Sequence, residues 1–316
     1  MFVAVDIGNS KVDVLLLTEQ GRITKWLRGG RLVPDELSAA ITASRLHAML
    51  DNVAKNVVAS WFGVAGVDFP DQAETLRVAL LQRRIFGDVE VANDIEALVH
   101  LTDVSADTRI AVVLGAGMNA IGISHQTEVR FPALGALSGD LGGGGVIGRA
   151  AVIAACRSAD GRAERSSLEQ LVTAHFNYPD TQTMSRALVE QPSLRHKMLD
   201  LVPIVFQEAR RGDVAATTIV CSQAQEIVST LQAIACRLQV NLTKSAIIGG
   251  GSVLRYGRDL LEPVIRASLE GEIMLEVPDL PPVVGAAKHL LQTHGIGTTI
   301  EALGAQMTQL QPEITS

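Results

Sequence analysis

The first eleven residues place a carboxylate, a hydroxyl and an ammonium group around one tight turn. Asp6 closes the apolar run VAVDI, and Gly8, Asn9, Ser10 and Lys11 follow at once. Such a turn can direct backbone N–H groups, the hydroxyl and the ammonium group at an anion. Asp6 could hold Mg²⁺ through water, because this ion keeps much of its hydration shell. Taken alone, the motif fits a phosphate-binding hairpin and an ordinary hairpin with an exposed aspartate equally well.

The same arrangement returns in VVLGAGMNAIGI. Gly115 and Gly117, on either side of Ala116, permit a close backbone approach to phosphate, and Asn119 projects from the start of the next strand. One glycine hairpin is weak evidence of a nucleotide site. Two of them, each opening a segment with the same order of elements, predict a clamp on a terminal phosphate.

A third glycine cluster, AIIGGGSV, lies between an apolar strand and a helix. Gly249, Gly250, Gly251 and then Ser252 form the connection. The cluster lacks the GxGxxG spacing of a dinucleotide fold and the GK[ST] of a P-loop, so a purely structural turn is an equal alternative. Its place after the second hairpin suits an adenosine pocket.

A fourth cluster, LSGDLGGGGVIG, frames Asp140 with glycines just before a helix. A carboxylate can accept paired hydrogen bonds from polyol hydroxyls. Ordering each glycine costs about 0.5–1 kcal/mol relative to alanine, which favours a functional purpose for so many of them.

In VANDIEAL, Asp94 stands where a strand gives way to a helix. Open α/β sheets place their ligands at this end of their strands. Asp94 could accept the proton of an attacking hydroxyl beside a phosphoryl donor. The alternative is structural, since either Asn93 or Asp94 would serve as a helix N-cap.

The elements that must position these residues form two similar series. β-Prone runs, apolar periodicity and turn residues predict the order βββαβαβα for the first segment and again for the second. We expect a first domain over residues 1–106 and a second over 107–316. A helical insertion covers about 146–240, and the last helix could pack back on the first domain. The predicted elements are strands at 2–6, 12–17, 22–27, 57–64, 89–91, 110–114, 120–124, 128–131, 245–248 and 272–277, and helices at 34–53 (with Pro34 and Asp35 as start signals), 72–84, 94–101, 194–210 and 214–238, with a loop at NYPDTQT and a weakly patterned tail after Gly295.

Composition narrows the class of protein. The net charge of −7, without long Lys or Arg runs, gives no footprint for nucleic acid or anionic lipid. Cys156, Cys221 and Cys236 show neither a zinc spacing nor a disulfide framework. No signal peptide or membrane-length apolar run is evident, so we expect a cytoplasmic protein.

With these motifs in order, the chain resembles the N-acetylglucosamine kinase and BadF/BadG-type ATPase family of the actin, Hsp70 and sugar-kinase superfamily. The resemblance runs from DIGNSK through FGVAGVD, NDIEAL, LGAGMNAIG, SGDLGGGGVIG and RRGDVAA to IIGGGSV and PPVVGAA. It implies an α/β fold of two ribonuclease-H-like (actin-like ATPase) domains with the active-site cleft between them. It also implies ATP and Mg²⁺ as cofactors, a sugar as substrate and a homodimer.

By the same resemblance, each motif residue has an implied role. Asp94 matches the catalytic base, while Asn93, Asn119 and Asp140 match sugar-binding positions. Asp6 matches the metal ligand. The nucleotide-binding set is Asp6, Gly8, Asn9, Ser10, Lys11, Gly115, Ala116, Gly117, Gly212, Gly249, Gly250, Gly251 and Ser252, with Asp213 next to Gly212.

Several positions depart from the family pattern. Ala116 and Met118 stand where the second hairpin has hydroxyls, GDLGG replaces GDEGS after the sugar-binding aspartate, and RGGRLVPDE has no asparagine for the sugar.

The main interpretation is an ATP-dependent kinase for an amino sugar such as N-acetylglucosamine or glucosamine. The alternatives are an ATPase that activates a redox partner, which needs cluster-binding cysteines, and a type III pantothenate kinase, which DIGNS resembles. A ROK-type kinase would normally carry a cysteine-rich zinc motif.

Overall fold

The computed structural model describes residues 1–32 and 38–315 of the chain. It divides into two compact units. Unit 1 comprises Met1–Ala111 together with the residues from Pro278 onward, and unit 2 comprises Val112–Val277. The first stretch of unit 1 ends five residues after the predicted boundary at 106/107, and the inclusion of the residues from Pro278 onward agrees with a last helix that packs back on the first domain.

The strands form two sheets. Their bounds are β1 Phe2–Ile7, β2 Val12–Leu17, β3 Ile23–Gly29, β4 Ala59–Val64, β5 Asp88–Asn93, β6 Thr108–Leu114, β7 Met118–Ser124, β8 Thr127–Arg130, β9 Ala246–Gly250, β10 Met274–Glu276 and β11 Glu313–Ile314. The first sheet has the order β11-β3-β2-β1-β4-β5, and the second has the order β10-β9-β6-β7-β8. Leaving β11 aside, both sheets place a three-strand meander beside two later strands in the same spatial order. The predicted α/β fold with a repeated βββαβαβα order is confirmed.

The helices fill the connections. Their bounds are α1 Ala39–Leu50, α2 Pro70–Leu81, α3 Asp94–Val99, α4 Gly144–Ala159, α5 Leu168–Phe176, α6 Thr181–Glu190, α7 Val202–Arg210, α8 Val214–Leu238, α9 Ser252–Tyr256, α10 Arg258–Ser268, α11 Val283–Thr293 and α12 Ile300–Met307. The insertion predicted over about 146–240 corresponds to α4 through α8, between β8 and β9. Among the described helices, none combines the length and the hydrophobicity that crossing a bilayer requires.

Every residue of β1 is buried because both faces of the central strand are covered. On one face Val3, Val5 and Ile7 join the core formed with α1 and α2. On the other face α11 packs against β1, β4 and α3. Asp6 lies on this second face, since alternate residues of a strand point to opposite sides.

Some element boundaries differ from the sequence-based prediction. The helix predicted at 194–210 is a 3₁₀ segment over Pro192–Leu201 followed by α7, which has Pro203 in its first turn. The predicted loop NYPDTQT ends early, because Asp180 caps α6 by accepting a hydrogen bond from Thr183 N. The predicted start signals Pro34 and Asp35 lie outside the described residues, and the described helix begins at Ala39 behind the cap Ser38. The tail after Gly295 contains α12 and β11.

Candidate active site

Two aspartates face each other at the start of unit 1. Asp6 of β1 and Asp13 of β2 are directly paired in the antiparallel register. Directly opposite residues lie on the same face of a sheet. The turn between them is closed by a hydrogen bond from Gly8 N to Lys11 O at 3.0 Å, and Asn9 and Ser10 at its tip are exposed. The sequence-predicted hairpin therefore exists, with its hydroxyl at the surface.

The ammonium group of Lys11 is paired with a buried carboxylate. Its Nζ lies 2.7 Å from Asp13 Oδ2, and the Asp13 side chain is fully buried. Arg28 binds the same carboxylate through Nε at 2.7 Å and Nη2 at 3.1 Å, and Trp26 Nε1 donates to it at 2.9 Å. Burial by itself would raise the pKa of Asp13, but these hydrogen bonds outweigh it and the pKa lies below its usual value.

Asp6 has the opposite electrostatics. Burial is the main reason why its pKa lies well above the usual value, and the charges of Asp94 and Asp13 add to the shift while Lys11 opposes it. Within residues 1–32 and 38–315, no hydrogen bond or ion pair reaches its carboxylate. A buried, acid-flanked and unpaired carboxylate is a site that a cation would stabilise.

These properties fit a magnesium ligand. The described residues contain no group of three His, Cys, Asp or Glu side chains that could enclose a metal. Mg²⁺ is commonly held by only one or two carboxylates, with nucleotide phosphates and water completing its shell. Asp6 would be the carboxylate that holds it, and the bound ion would neutralise phosphate charge.

Asn93, rather than Asp94, caps α3. Its Oδ1 accepts a hydrogen bond from Ile95 N at 3.2 Å, and its Nδ2 donates to Val67 O at 3.0 Å and Asp68 Oδ1 at 3.1 Å. Asn93 is thus buried and engaged within the protein. Asp94 is the first residue of α3 and is only partly buried. The cap function that competed with catalysis in the sequence is performed by its neighbour.

Gly63 explains how Asp94 comes near Asp6. Gly63 of β4 is the register partner of Asp6 on the other side of β1. A Cβ on Gly63 would lie 3.4 Å from Asp94 Cα and 2.8 Å from the Trp61 ring. The missing side chain lets the start of α3 approach the sheet beside Asp6, which agrees with the influence of the Asp94 charge on the pKa of Asp6.

In unit 2, two glycine loops pack directly on the second hairpin. Gly115 N donates to Gly117 O at 2.9 Å across the turn, while Gly144 N and Gly145 N donate to Gly115 O and Ala116 O at 2.8 and 2.9 Å. A Cβ on Gly143 would lie 2.5 Å from Gly117 backbone atoms, and Gly143 has a φ of +100°. The glycine run after Asp140 therefore lets the start of α4 touch the hairpin.

Gly251 makes the corresponding contact from the other side. Its φ is +93°, and a Cβ there would lie 2.2 Å from Leu114 O and 2.9 Å from Gly115 N. A side chain at this position would need both a disfavoured backbone and a displaced strand end. The GGG turn that looked structural or nucleotide-binding in the sequence is packed against the hairpin.

One pocket opens beside the hairpin on the side of α7 and α9. We refer to it as the Tyr256 pocket. It has a volume of about 430 Å³, and its lining includes the predicted residues Gly115, Ala116 and Ser252. Apolar side chains make up most of the remaining wall, among them Leu199, Val202, Pro203, Val253 and Tyr256. An apolar slot that ends at backbone groups of a glycine hairpin suits a flat, mostly apolar ring joined to an anion.

The residues that follow the same turn, Met118 to Ala120, line a second pocket, which we call the Asp140 pocket. It has a volume of about 230 Å³, and both Asn119 and Asp140 line it. Gly142 N donates to Asp140 Oδ1 at 3.0 Å. Burial raises the pKa of Asp140, although hydrogen bonds from the backbone of Gly142 and Met118 act against the rise. Polar side chains from α8 and an apolar wall at Phe131 complete a lining that suits a ligand with hydroxyls.

The structure does not bring every predicted residue of unit 2 to a pocket. Gly117, Gly212, Gly249, Gly250 and Gly251 are not among the residues that line either one. Gly212 ends α7 with a φ of +89°, and Asp213 caps α8 by accepting a hydrogen bond from Ala216 N at 2.9 Å. Their predicted place in an adenosine site stays a prediction.

Sequence reasoning overlooked other residues in these places. Asp13 interrupts the apolar strand VDVLLL, and Trp26 and Arg28 alternate on the next strand, a pattern that could have revealed the buried carboxylate. The apolar wall of the Tyr256 pocket gave no such signal, because its residues belong to separate helices and look like ordinary core positions.

The chain is similar to known proteins both in sequence and in fold. The family model described as the BadF/BadG/BcrA/BcrD ATPase family matches residues 3–288. No curated protein matches the chain in sequence at a significant level. Similar solved structures include a proposed N-acetylglucosamine kinase from Porphyromonas gingivalis, with 19% identity, 93% of this chain and 100% of that chain covered, and a TM-score of 0.71. Another from Chromobacterium violaceum has 21% identity, coverage of 92% and 98%, and a TM-score of 0.71.

The chain is also similar to a ROK family glucokinase from Streptomyces griseus that was solved with glucose and AMPPNP. The identity is 19%, the coverage is 92% and 99%, and the TM-score is 0.58. At these identities the likeness concerns the fold alone. The family match extends over most of the length, and it implies ATP binding. The chain belongs to the BadF/BadG/BcrA/BcrD ATPase family.

Proposed function

We propose that this protein is an ATP-dependent sugar kinase that transfers the γ-phosphate to a hydroxyl of an amino sugar such as N-acetylglucosamine or glucosamine. One observation carries the proposal. Within unit 2, the second hairpin contributes Gly115 and Ala116 to an apolar pocket and Asn119 to a pocket that Asp140 also lines. A donor nucleotide and a polyol acceptor need such adjoining sites of different polarity.

In this proposal the apolar wall of the Tyr256 pocket holds the adenosine, and backbone groups of Gly115, Ala116 and Gly117 contact phosphate. Ser10 and Lys11 contribute a hydroxyl and an ammonium group to the phosphates. Because Lys11 is held by Asp13, its contribution would be a positioned charge rather than a mobile one. Asp6 would hold Mg²⁺, and the ion would neutralise phosphate charge.

Asp94 acts as the general base. It accepts the proton of the sugar hydroxyl as the hydroxyl oxygen forms a bond to the γ-phosphorus and the bond to the ADP oxygen breaks. The support is its position: it follows the cap Asn93, stands at the carboxyl end of β5 and influences the buried Asp6. Asn119 and Asp140 bind sugar hydroxyls.

The test is ADP production by the full chain with ATP and Mg²⁺ across hexoses, hexosamines and N-acetylhexosamines. We expect stimulation by at least one amino sugar. Asp94→Asn should lower kcat by about 10²–10⁴-fold, the usual contribution of a general base, while sugar binding measured by calorimetry is retained. The matched control is Glu96→Gln, which removes a negative charge from the same helical turn and should leave kcat within about threefold.

Two results would contradict the proposal. If no sugar stimulates ADP production by a protein that still binds ATP, the acceptor is not a sugar. Undiminished turnover in Asp94→Asn would remove the assigned base but keep the kinase.

The alternative of a redox-coupled ATPase has less support. Cys221 and Cys236 are exposed on the same helix, α8, and Cys156 is half-buried on α4. Fifteen residues of α-helix separate the first two by about 22 Å, so they cannot share a cluster within one chain. Iron in the purified protein would revive this alternative.

A further inference from the structure

The charge of the Asp140 pocket is unbalanced. Its lining contains two acids, Asp140 and Glu226, and no Lys, Arg or His. The nearby guanidinium of Arg237 lies over the Phe131 ring, 5.3 Å from its centroid, and Arg237 is not one of the lining residues. A pocket with two carboxylates and no base attracts a cationic group on its ligand.

The two acids differ in how they are engaged. Backbone N–H groups of Gly142 and Met118 hydrogen-bond to Asp140, which fixes its carboxylate beside the hairpin. Glu226 has no hydrogen bond or ion pair with any residue in the described parts of the chain. Its carboxylate is therefore available to a ligand, whereas part of the capacity of Asp140 is already used.

The helix α8 presents Glu226 as part of a stripe. Glu226, Ser229, Thr230 and Ala233 all line the pocket, with the spacing i, i+3, i+4 and i+7 of one helix face. The Ser229 hydroxyl donates to Gln225 O at 2.9 Å, so its oxygen remains as an acceptor toward the pocket. An ammonium group carries three donors and no acceptor, which matches a wall of carboxylate and hydroxyl oxygens.

We infer that Glu226 is the residue that selects an amino sugar with a free ammonium group over the N-acetylated form. This inference rests on the proposed kinase function. An N-acetyl group replaces the ammonium by a neutral amide, whose single N–H makes a hydrogen bond about half as strong as a charge-assisted one. It also brings a carbonyl oxygen toward the Glu226 carboxylate, which can only accept hydrogen bonds when ionised.

The experiment compares glucosamine, N-acetylglucosamine and glucose as acceptors for the wild-type protein and for Glu226→Gln. We expect the wild-type kcat/KM to be at least tenfold higher for glucosamine than for N-acetylglucosamine. Glu226→Gln should lower kcat/KM for glucosamine about tenfold, mostly through KM, and change the value for glucose less than threefold. The control Glu190→Gln removes an exposed acid on α6, outside the pocket lining, and should alter none of the three.

The possible results distinguish a failure of this inference from a failure of the proposed kinase function. If no sugar is phosphorylated, the proposed function fails, and this inference fails with it. If sugars are phosphorylated but N-acetylglucosamine is preferred, or Glu226→Gln lowers glucose and glucosamine turnover equally, only the role of Glu226 is overturned. Unchanged use of glucose by Glu226→Gln also shows that the variant is folded.

Discussion

Asp6 and Asp13 are direct partners across β1 and β2, yet their pKa values are shifted in opposite directions. Both side chains are buried. The difference comes from their partners: Asp13 is bound by Lys11, Arg28 and Trp26, while Asp6 has acids near it and Lys11 as the main opposing charge. The chain thus compensates the buried Asp13 carboxylate with two cations in direct contact, whereas Asp6 has no such contact within the described residues.

The contacts of Lys11, Arg28 and Trp26 with the Asp13 carboxylate predict that neutralising this carboxylate destabilises the protein. Asp13→Asn leaves the charges of Lys11 and Arg28 without their buried partner. Because both cations are partly exposed, we expect a loss of about 2–4 kcal/mol, at or below the range for breaking a fully buried pair. The control is Asp160→Asn, which breaks an exposed pair with Arg162 and should lower the Tm much less than Asp13→Asn does. Equal effects in thermal unfolding would refute a special role for Asp13.

For Asp6 we predict the opposite result. Neutralising its carboxylate stabilises the folded protein, by an amount that depends on pH. Its folded-state pKa is raised, so its contribution is fully present at low pH and is lost as the pH rises through the folded pKa. In the absence of nucleotide and Mg²⁺, Asp6→Asn should therefore raise the Tm at pH 7.5 by roughly 2–4 °C, equivalent to about 1 kcal/mol. The gain should vanish near pH 4. A gain of equal size at both pH values would show that ionisation is not its cause.

The burial of His100 predicts that unit 1 loses stability as the pH falls. Burial is the main cause that lowers its pKa to about 2, and His289, Arg109 and Lys288 add to the shift. The unfolded chain therefore binds one more proton than the folded chain between about pH 6.5 and pH 2. Stability falls as the pH decreases through this window, by up to about 1.4 kcal/mol per pH unit.

The variant His100→Phe keeps an aromatic ring against His289, whose ring is stacked at 4.1 Å, and removes the titration. We expect it to destabilise at pH 7.5 but to lose less Tm than the wild type between pH 6 and pH 4.5. His125→Asn is the control, since His125 is exposed and its φ of +53° is one that asparagine tolerates. The same pH dependence in His100→Phe and the wild type would contradict the assignment.

Gly251 predicts a link between backbone packing and nucleotide binding. Gly251→Ala would place a Cβ 2.2 Å from Leu114 O and so displace the end of β6 beside Gly115. If the hairpin contacts ATP phosphate, the Kd for ATP should rise at least tenfold. Gly161→Ala introduces a similar strain, with a φ of +78°, but meets nothing within 4 Å. It should leave the Kd within twofold, and an unchanged Kd in Gly251→Ala would separate the hairpin from the nucleotide.

The sequence alone determined the succession of elements and most of the chemistry-bearing positions. The meanders around Asp6 and Ala116 and the strand-to-helix junction at Asp94 are encoded locally, by alternating apolar residues and by turn residues. The strands have the same spatial order in the two sheets, which confirms the order of elements predicted from these local patterns. Helix starts were less certain, because a 3₁₀ segment and an α-helix share similar periodicity over the residues before Val202.

Only the tertiary structure decided which groups are occupied by the protein itself. Lys11 looked available for phosphate, but it is paired with Asp13, a carboxylate that Arg28 of the next strand also binds. Asn93 looked like a substrate ligand, but Val67, Asp68 and Ile95 take up its amide. Arg28 reaches Asp13, and Val67 and Asp68 reach Asn93, because strand register and loop packing bring residues of separate elements together. For the same reason the wall around Tyr256 and the position of Glu226 opposite the hairpin emerged only in three dimensions.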